Sequence, residues 1–138
     1  MRIPMLVLSL AVTALAACGG DSSTTAPTQA SIAGTWNLQT VNGAALPFIA
    51  AQTGSNKAEI TGDVLTVTNS GSFTEITSER ITTNGQVSNQ SFADAGTYVL
   101  NGTAVSFRFN SDGSTGTGTI SGNTLTVAED GFSYVYKK

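Results

Sequence analysis

The feature that most restricts the fold of this chain is the recurrence of turn dipeptides through its length. Asn42-Gly43, Gly62-Asp63, Ser70-Gly71, Asn84-Gly85, Asn101-Gly102, Asp112-Gly113, Gly122-Asn123 and Asp130-Gly131 punctuate residues 31–138. The last four recur at the spacing of short strands joined by hairpins, about 8–12 residues. Between them lie β-branched and aromatic residues that often alternate with polar ones. Trp36 and Leu38, Phe107 and Phe109, Leu125 and Val127, and Tyr134 and Tyr136 each share one face of a strand, while Asn37, Arg108, Thr126 and Val135 take the other. No segment after residue 31 has helical period; Ala44 to Gln52 has room for a turn or two at most. Successive hairpins make an antiparallel meander. A meander of 8–10 strands closes most readily into an up-and-down barrel, which removes exposed edges. The expectation is all-β, a small soluble barrel, with a two-sheet sandwich as the alternative. The strands are too polar on both faces for a porin-type barrel.

Residues 1–17 read as a secretion signal. Met1 and Arg2 form a short positive region, Ile3 to Leu15 an apolar one, and Ala16-Ala17 the small residues before a cleavage site. The apolar run is shorter than the roughly 20 residues of a membrane span. Gly19 to Ala30 is rich in Gly, Ser and Thr and carries no large apolar side chain, so residues 18–30 read as a flexible tether before the barrel domain, residues 31–138.

Composition narrows the chemistry. The chain has 138 residues, no histidine, one cysteine and a net charge of −3. Histidine-dependent triads and metal sites are excluded, as are an internal disulfide and a CxxC site. Without histidine or a well-placed lysine, nothing activates the many hydroxyls, 15 Ser and 21 Thr. An enzyme is therefore not expected, nor a cofactor or a metal. Nucleic acid is not an expected partner either, since no basic patch with interleaved aromatics occurs.

Two carboxylates invite a catalytic reading. Glu75 and Glu79 share a strand face with Phe73, Thr77 and Ile81. Four residues along a strand separate them by roughly 13 Å, beyond the carboxyl spacing of a glycosidase, and a solvated outer face is the expectation. Asn110-Ser111-Asp112-Gly113 reads as a hairpin turn rather than a calcium loop, because no acid closes the ligand set before Glu129.

Leu15-Ala16-Ala17-Cys18 resembles the lipobox of bacterial lipoproteins. The resemblance implies that Cys18 takes a diacylglyceryl thioether and, after cleavage and acylation of its amine, anchors the protein to a membrane. Each buried methylene contributes about 0.8 kcal/mol to such anchoring. With Gly19 rather than Asp after the cysteine, the lipoprotein sorting pattern implies the outer membrane of the bacterial envelope.

Gly34-Thr35-Trp36 resembles the G-x-W opening of lipocalin-like (calycin-type) barrels, and Gly96 to Lys137 is similar to their closing meander. Residues 42–95 match by strand count alone. The resemblance implies that Trp36 closes one barrel end beneath a basic residue of the last strand, Lys137 or Lys138. It also implies non-catalytic binding of a small apolar ligand. The apolar loop Gly43–Ala51 would then be a lid, with Leu46, Phe48 and Ile49 facing the lumen and Tyr98 and Phe107 lining it; a plug completing a small core is the other reading. That second reading makes the protein a structural or protein-interaction module with a filled barrel and an unidentified protein partner. Trp36-x-Leu38, Val41-Asn42-Gly43 and Leu46-Pro47 also resemble the opening of META-type envelope domains, but the Gly-Cys-Asn segment of those domains is missing.

Overall fold

The computed structural model describes residues 31–138. The expected signal, Cys18 and the expected tether, residues 1–30, lie outside the described residues. Ten strands follow in order: β1 (Gly34–Val41), β2 (Ala44–Ala45), β3 (Phe48–Thr53), β4 (Asn56–Val67), β5 (Ser72–Thr83), β6 (Gln86–Asn101), β7 (Ala104–Phe109), β8 (Thr115–Ser121), β9 (Thr124–Glu129) and β10 (Phe132–Lys137). No helix occurs among the described residues.

From β4 to β10 each strand pairs antiparallel with the next. Strand β1 closes the ring by pairing with β10 on one side and β4 on the other. The result is an eight-stranded up-and-down barrel with β2 and β3 as additions, not a sandwich. Most turns fall where the dipeptides place them. Asn84-Gly85 and Asp130-Gly131 have both residues at positive φ, the type I′ geometry that matches strand twist in two-residue hairpins. The Asn110–Gly113 stretch is a turn that Gly113 N–H closes on Phe109 C=O. Gly62-Asp63 is the exception and lies inside β4.

The inward face is apolar over most of the barrel: Trp36, Leu38, Leu65, Val67, Phe73, Val105, Phe107, Phe109, Ile120, Leu125, Val127 and Tyr136 are all buried. Phe73 meets Phe107 and Phe109 edge-on, with ring centroids 5.3 and 5.1 Å away. Gly96, opposite Phe73 in β6, leaves room for that ring; a Cβ there would lie 2.6 Å from Phe73 Cε1 and 2.1 Å from Arg108 O.

One end is sealed by Trp36. Its indole N–H donates to Ile32 O at 2.7 Å, meeting the need of a buried donor. Lys138, not Lys137, supplies the basic partner: its Nζ sits 4.6 Å from the ring centroid and donates to Ser31 O and Ala33 O at 3.0 and 2.8 Å. Strand parity is the reason. Tyr136 points inward, so Lys137 points out, and Lys138, past the strand end, can fold over the indole.

The segment after β1 is neither helix nor lid. It forms β2 and β3, which extend β1 and β4 where these two strands part company. Leu46, Phe48 and Ala50 pack half-buried against the core. Ile49 alternates with them and is 46% exposed, so it does not face the lumen. Strands β5 and β6 run past β7 as a long hairpin, β5 staying paired with β4 as far as Thr82 opposite Lys57 while Gln86–Ala93 of β6 pair with β5 alone.

Gly96→Ala should destabilise the protein by about 1–3 kcal/mol or more through overpacking against Phe73 and the β7 backbone. Val99→Ala, on the exposed surface of the same strand, should change stability by less than about 0.5 kcal/mol. Chemical denaturation of both variants checks the contrast; equal midpoints would contradict it.

Candidate functional site

At the end of the barrel opposite Trp36, the apolar core gives way to carboxyls. The inward positions there continue rows that are apolar lower down. In β5 the row is Phe73, Glu75, Thr77 and Glu79; in β9 it is Leu125, Val127 and Glu129. Strand β4 reaches the same result by an irregularity. Its register with β5 shifts between Ile60 and Gly62, so Ile60 pairs with Glu79 and Asp63 with Thr77. Without the extra residue, Ile60 and Asp63 would face opposite sides of the sheet. The bulge turns Asp63 inward, in line with Leu65 and Val67.

These residues surround a cavity of about 230 Å³ lined by Leu38, Ile60, Thr77 and two tyrosines, Tyr134 and Tyr136, together with five acids: Asp63, Glu75, Glu79, Glu129 and Asp130. No lysine or arginine lines it. Asp63 is only 7% exposed. Its Oδ2 accepts a hydrogen bond from Thr77 Oγ1 at 2.7 Å, while its buried Oδ1 has no partner among the described residues. Leaving a buried acceptor unpaired costs about 1–3 kcal/mol, more for a charged group. The other contacts are long: Tyr136 Oη donates to Glu75 Oε1 at 3.4 Å, and Ser114 Oγ to Glu129 Oε1 at 3.5 Å.

Burial pushes these carboxyls up, reinforced by charge repulsion at Glu75 and Glu129 and opposed at Asp63 by hydrogen bonding with Thr77, Glu75 and Tyr136. Desolvation is the main cause for Asp63 and Glu75, with the neighbouring Asp63 charge next for Glu75. Glu129 rises to about 7, first from burial and then from the charge of Asp130. Tyr134 rises to about 12 and Tyr136 also rises, both chiefly through burial. On the opposite face of β4 and β5 the electrostatics are reversed. Arg80 donates twice to Glu59 at 2.9 Å and Lys57 Nζ lies 3.0 Å from it, so hydrogen bonding from these cations holds Glu59 down at about 2.

None of the five residues expected to bind a ligand lines this cavity. Phe107 is buried in the core, Tyr98 packs on it near the other end and donates from Oη to Thr68 O at 2.6 Å, and Leu46 and Phe48 pack at the β1–β4 parting. Glu75, expected on a solvated outer face, faces the interior instead. Phe73 and Ile81, which share its strand face, are the signal for that direction. Asp63 has a weaker one, a glycine inside strand-like sequence, which marks a bulge as readily as a turn. Glu129 follows from its parity with Leu125 and Val127.

No protein-family profile matches the chain, and no curated protein matches it. Among solved structures, an uncharacterized protein from Bacteroides eggerthii aligns with 77% of this chain and 98% of its own. The identity is 12% and the TM-score 0.43.

The raised carboxyls set a direction for stability. Groups whose folded pKa is raised stabilise the fold below their unfolded pKa, and that contribution is lost as pH climbs through the folded value. Glu59, shifted the other way, contributes above its unfolded value of 4.5 and loses that contribution as pH falls toward 2. Thermal stability should therefore peak near pH 5 and fall by on the order of 10 °C by pH 8.5, with Glu75→Gln flattening the alkaline limb. Melting curves across that range check this; a flat profile from pH 5 to 8.5 would contradict it.

Proposed function

We propose that this chain is a non-catalytic binding protein of the bacterial envelope, held by a lipid on Cys18 in the outer membrane, whose barrel takes one small molecule at its carboxyl-lined end. The observation that carries the reading is the cavity: the barrel is packed with its own side chains except where Asp63, Glu75 and Glu129 enclose space. Its wall is polar, which favours a hydrogen-bonding ligand over the apolar one implied by the lipocalin-like resemblance. Burying an apolar molecule there would strip water from carboxyls and return nothing.

The geometry suits a tethered carrier. Residues 31–33 enter at the end closed by Trp36 and Lys138. A tether leaving from that end keeps the cavity turned away from a membrane to which Cys18 is joined.

A second reading, an interaction module, is favoured by one observation. Ile76, Val87 and Phe92 on the projecting β5–β6 hairpin are each at least half exposed. Such side chains are common at contact surfaces, although scattered ones need no partner.

Two measurements separate these readings. Labelled palmitate should be incorporated in a bacterial host, and Cys18→Ser should move the protein to the soluble fraction; a serine variant that stays with the membrane contradicts the anchor. Native mass spectrometry of the full chain, extracted in mild detergent, should show a non-covalent small-molecule adduct. Glu79→Trp, which sets an indole at the cavity rim, should remove it. A bare mass for both proteins would favour the interaction module.

A further inference from the structure

We propose that the molecule taken into this cavity is a small organic ammonium ion, with Asp63 as its principal counter-anion; the proposal rests on the binding reading above. The carrying observation is Asp63, more than nine-tenths buried in the cavity wall, whose Oδ1 receives no N–H or hydroxyl hydrogen bond and has only the neighbouring Glu75 carboxyl to share a proton with. A proton shared between two buried carboxyls is a makeshift partner, and an ammonium supplied from outside replaces it with a full complement of donors.

The charge around it selects the donor. Asp63 from β4, Glu75 and Glu79 from β5, Glu129 from β9 and Asp130 from the following turn face the same space, with Tyr134 and Tyr136 from β10. Lys57 and Arg80 are engaged with Glu59 across the sheet, and Lys138 caps Trp36 at the far end. The wall therefore has acceptors in excess and no positive charge of its own. An anion would be repelled. A neutral molecule would leave the carboxylates uncompensated.

A metal ion fits less well, because no group of three or more acidic side chains among the described residues is placed to hold one. An ammonium is less demanding: it brings up to three N–H donors at the end of a flexible chain, and the tyrosine rings in the wall can add cation–π attraction. The volume, about 230 Å³, exceeds a cavity that admits benzene, so a molecule of roughly six to ten heavy atoms is the right scale.

The same crowding couples binding to protons. With Asp63 raised by burial, and Glu75 and Glu129 raised by burial and by the charges around them, part of the cluster holds protons at neutral pH. An arriving ammonium favours the ionised forms, so binding releases protons to solvent and strengthens as pH rises.

Isothermal titration of the full-length protein in detergent with 1,4-diaminobutane, n-butylamine and 1,4-butanediol tests this. The amines should bind and the diol should not. Amine affinity should be at least tenfold weaker at pH 5.5 than at pH 8, and the heat should change with the ionisation enthalpy of the buffer as protons are released. Asp63→Asn, nearly isosteric, should weaken amine binding at least tenfold, and Glu129→Gln should reduce proton release in case the first variant folds poorly. Diol binding as tight as amine binding, or an Asp63→Asn protein with unchanged affinity, overturns the ammonium assignment while leaving the binding reading in place. No binding of any probe, together with a bare native mass, overturns both.

Discussion

Strand β1 is bonded along both edges, to β10 and to β4, and the barrel exists because of that double engagement. The β1–β4 pairing is short, running only from Gly34 to Asn37 against Val64 to Val67. It is held in place beside the fully buried Trp36 and the Lys138 side chain that ties Ser31 and Ala33 across the same end. Beyond Asn37 the two strands separate, and β2 and β3 take over their free edges. One end of the molecule is thus closed by an indole and a lysine, and the other is left with room inside.

That asymmetry runs through the electrostatics. The closed end has Lys138 and the large aromatic core, where Phe73 packs against Phe107 and Phe109 over the space left by Gly96. The other end has five carboxyls around one cavity, three of them brought inward by continuing apolar rows and a fourth by a bulge in β4. Glu59 shows how the fold treats an acid that serves the scaffold. Arg80 and Lys57 surround it, and it stays ionised. Asp63 is about as exposed as Glu59 but has no cation beside it, only the Thr77 hydroxyl on one oxygen and the Glu75 carboxyl and Tyr136 as further neighbours. A group left in that condition costs stability, and such departures from local consistency concentrate at functional sites.

Much of the barrel is legible from residue order. Turn dipeptides and two-residue alternation mark the strands and their inward faces, and Gly34-Thr35-Trp36 marks the closed end. The lysine over the indole lies one position beyond Lys137, because parity continues only as far as the strand does. The segment after β1 is harder: its apolar residues suit a lid, a plug or a strand, and only the separation of β1 from β4 creates the edges on which β2 and β3 pair. The candidate site is nearly hidden. Glu75 looks like surface because carboxylates usually are, although Phe73 beside it marks the inner face. Asp63 needs the bulge, and a single extra residue reverses facing without changing composition or turn signals.

Carbon-detected NMR titration of the side-chain carboxyls would examine the buried cluster directly. It should find Asp63, Glu75 and Glu129 titrating well above the ordinary carboxylate range, as coupled transitions, and moving down when 1,4-diaminobutane is added. Carboxyls that all titrate in the ordinary range, unmoved by the amine, would contradict a desolvated acidic site built to receive a cation.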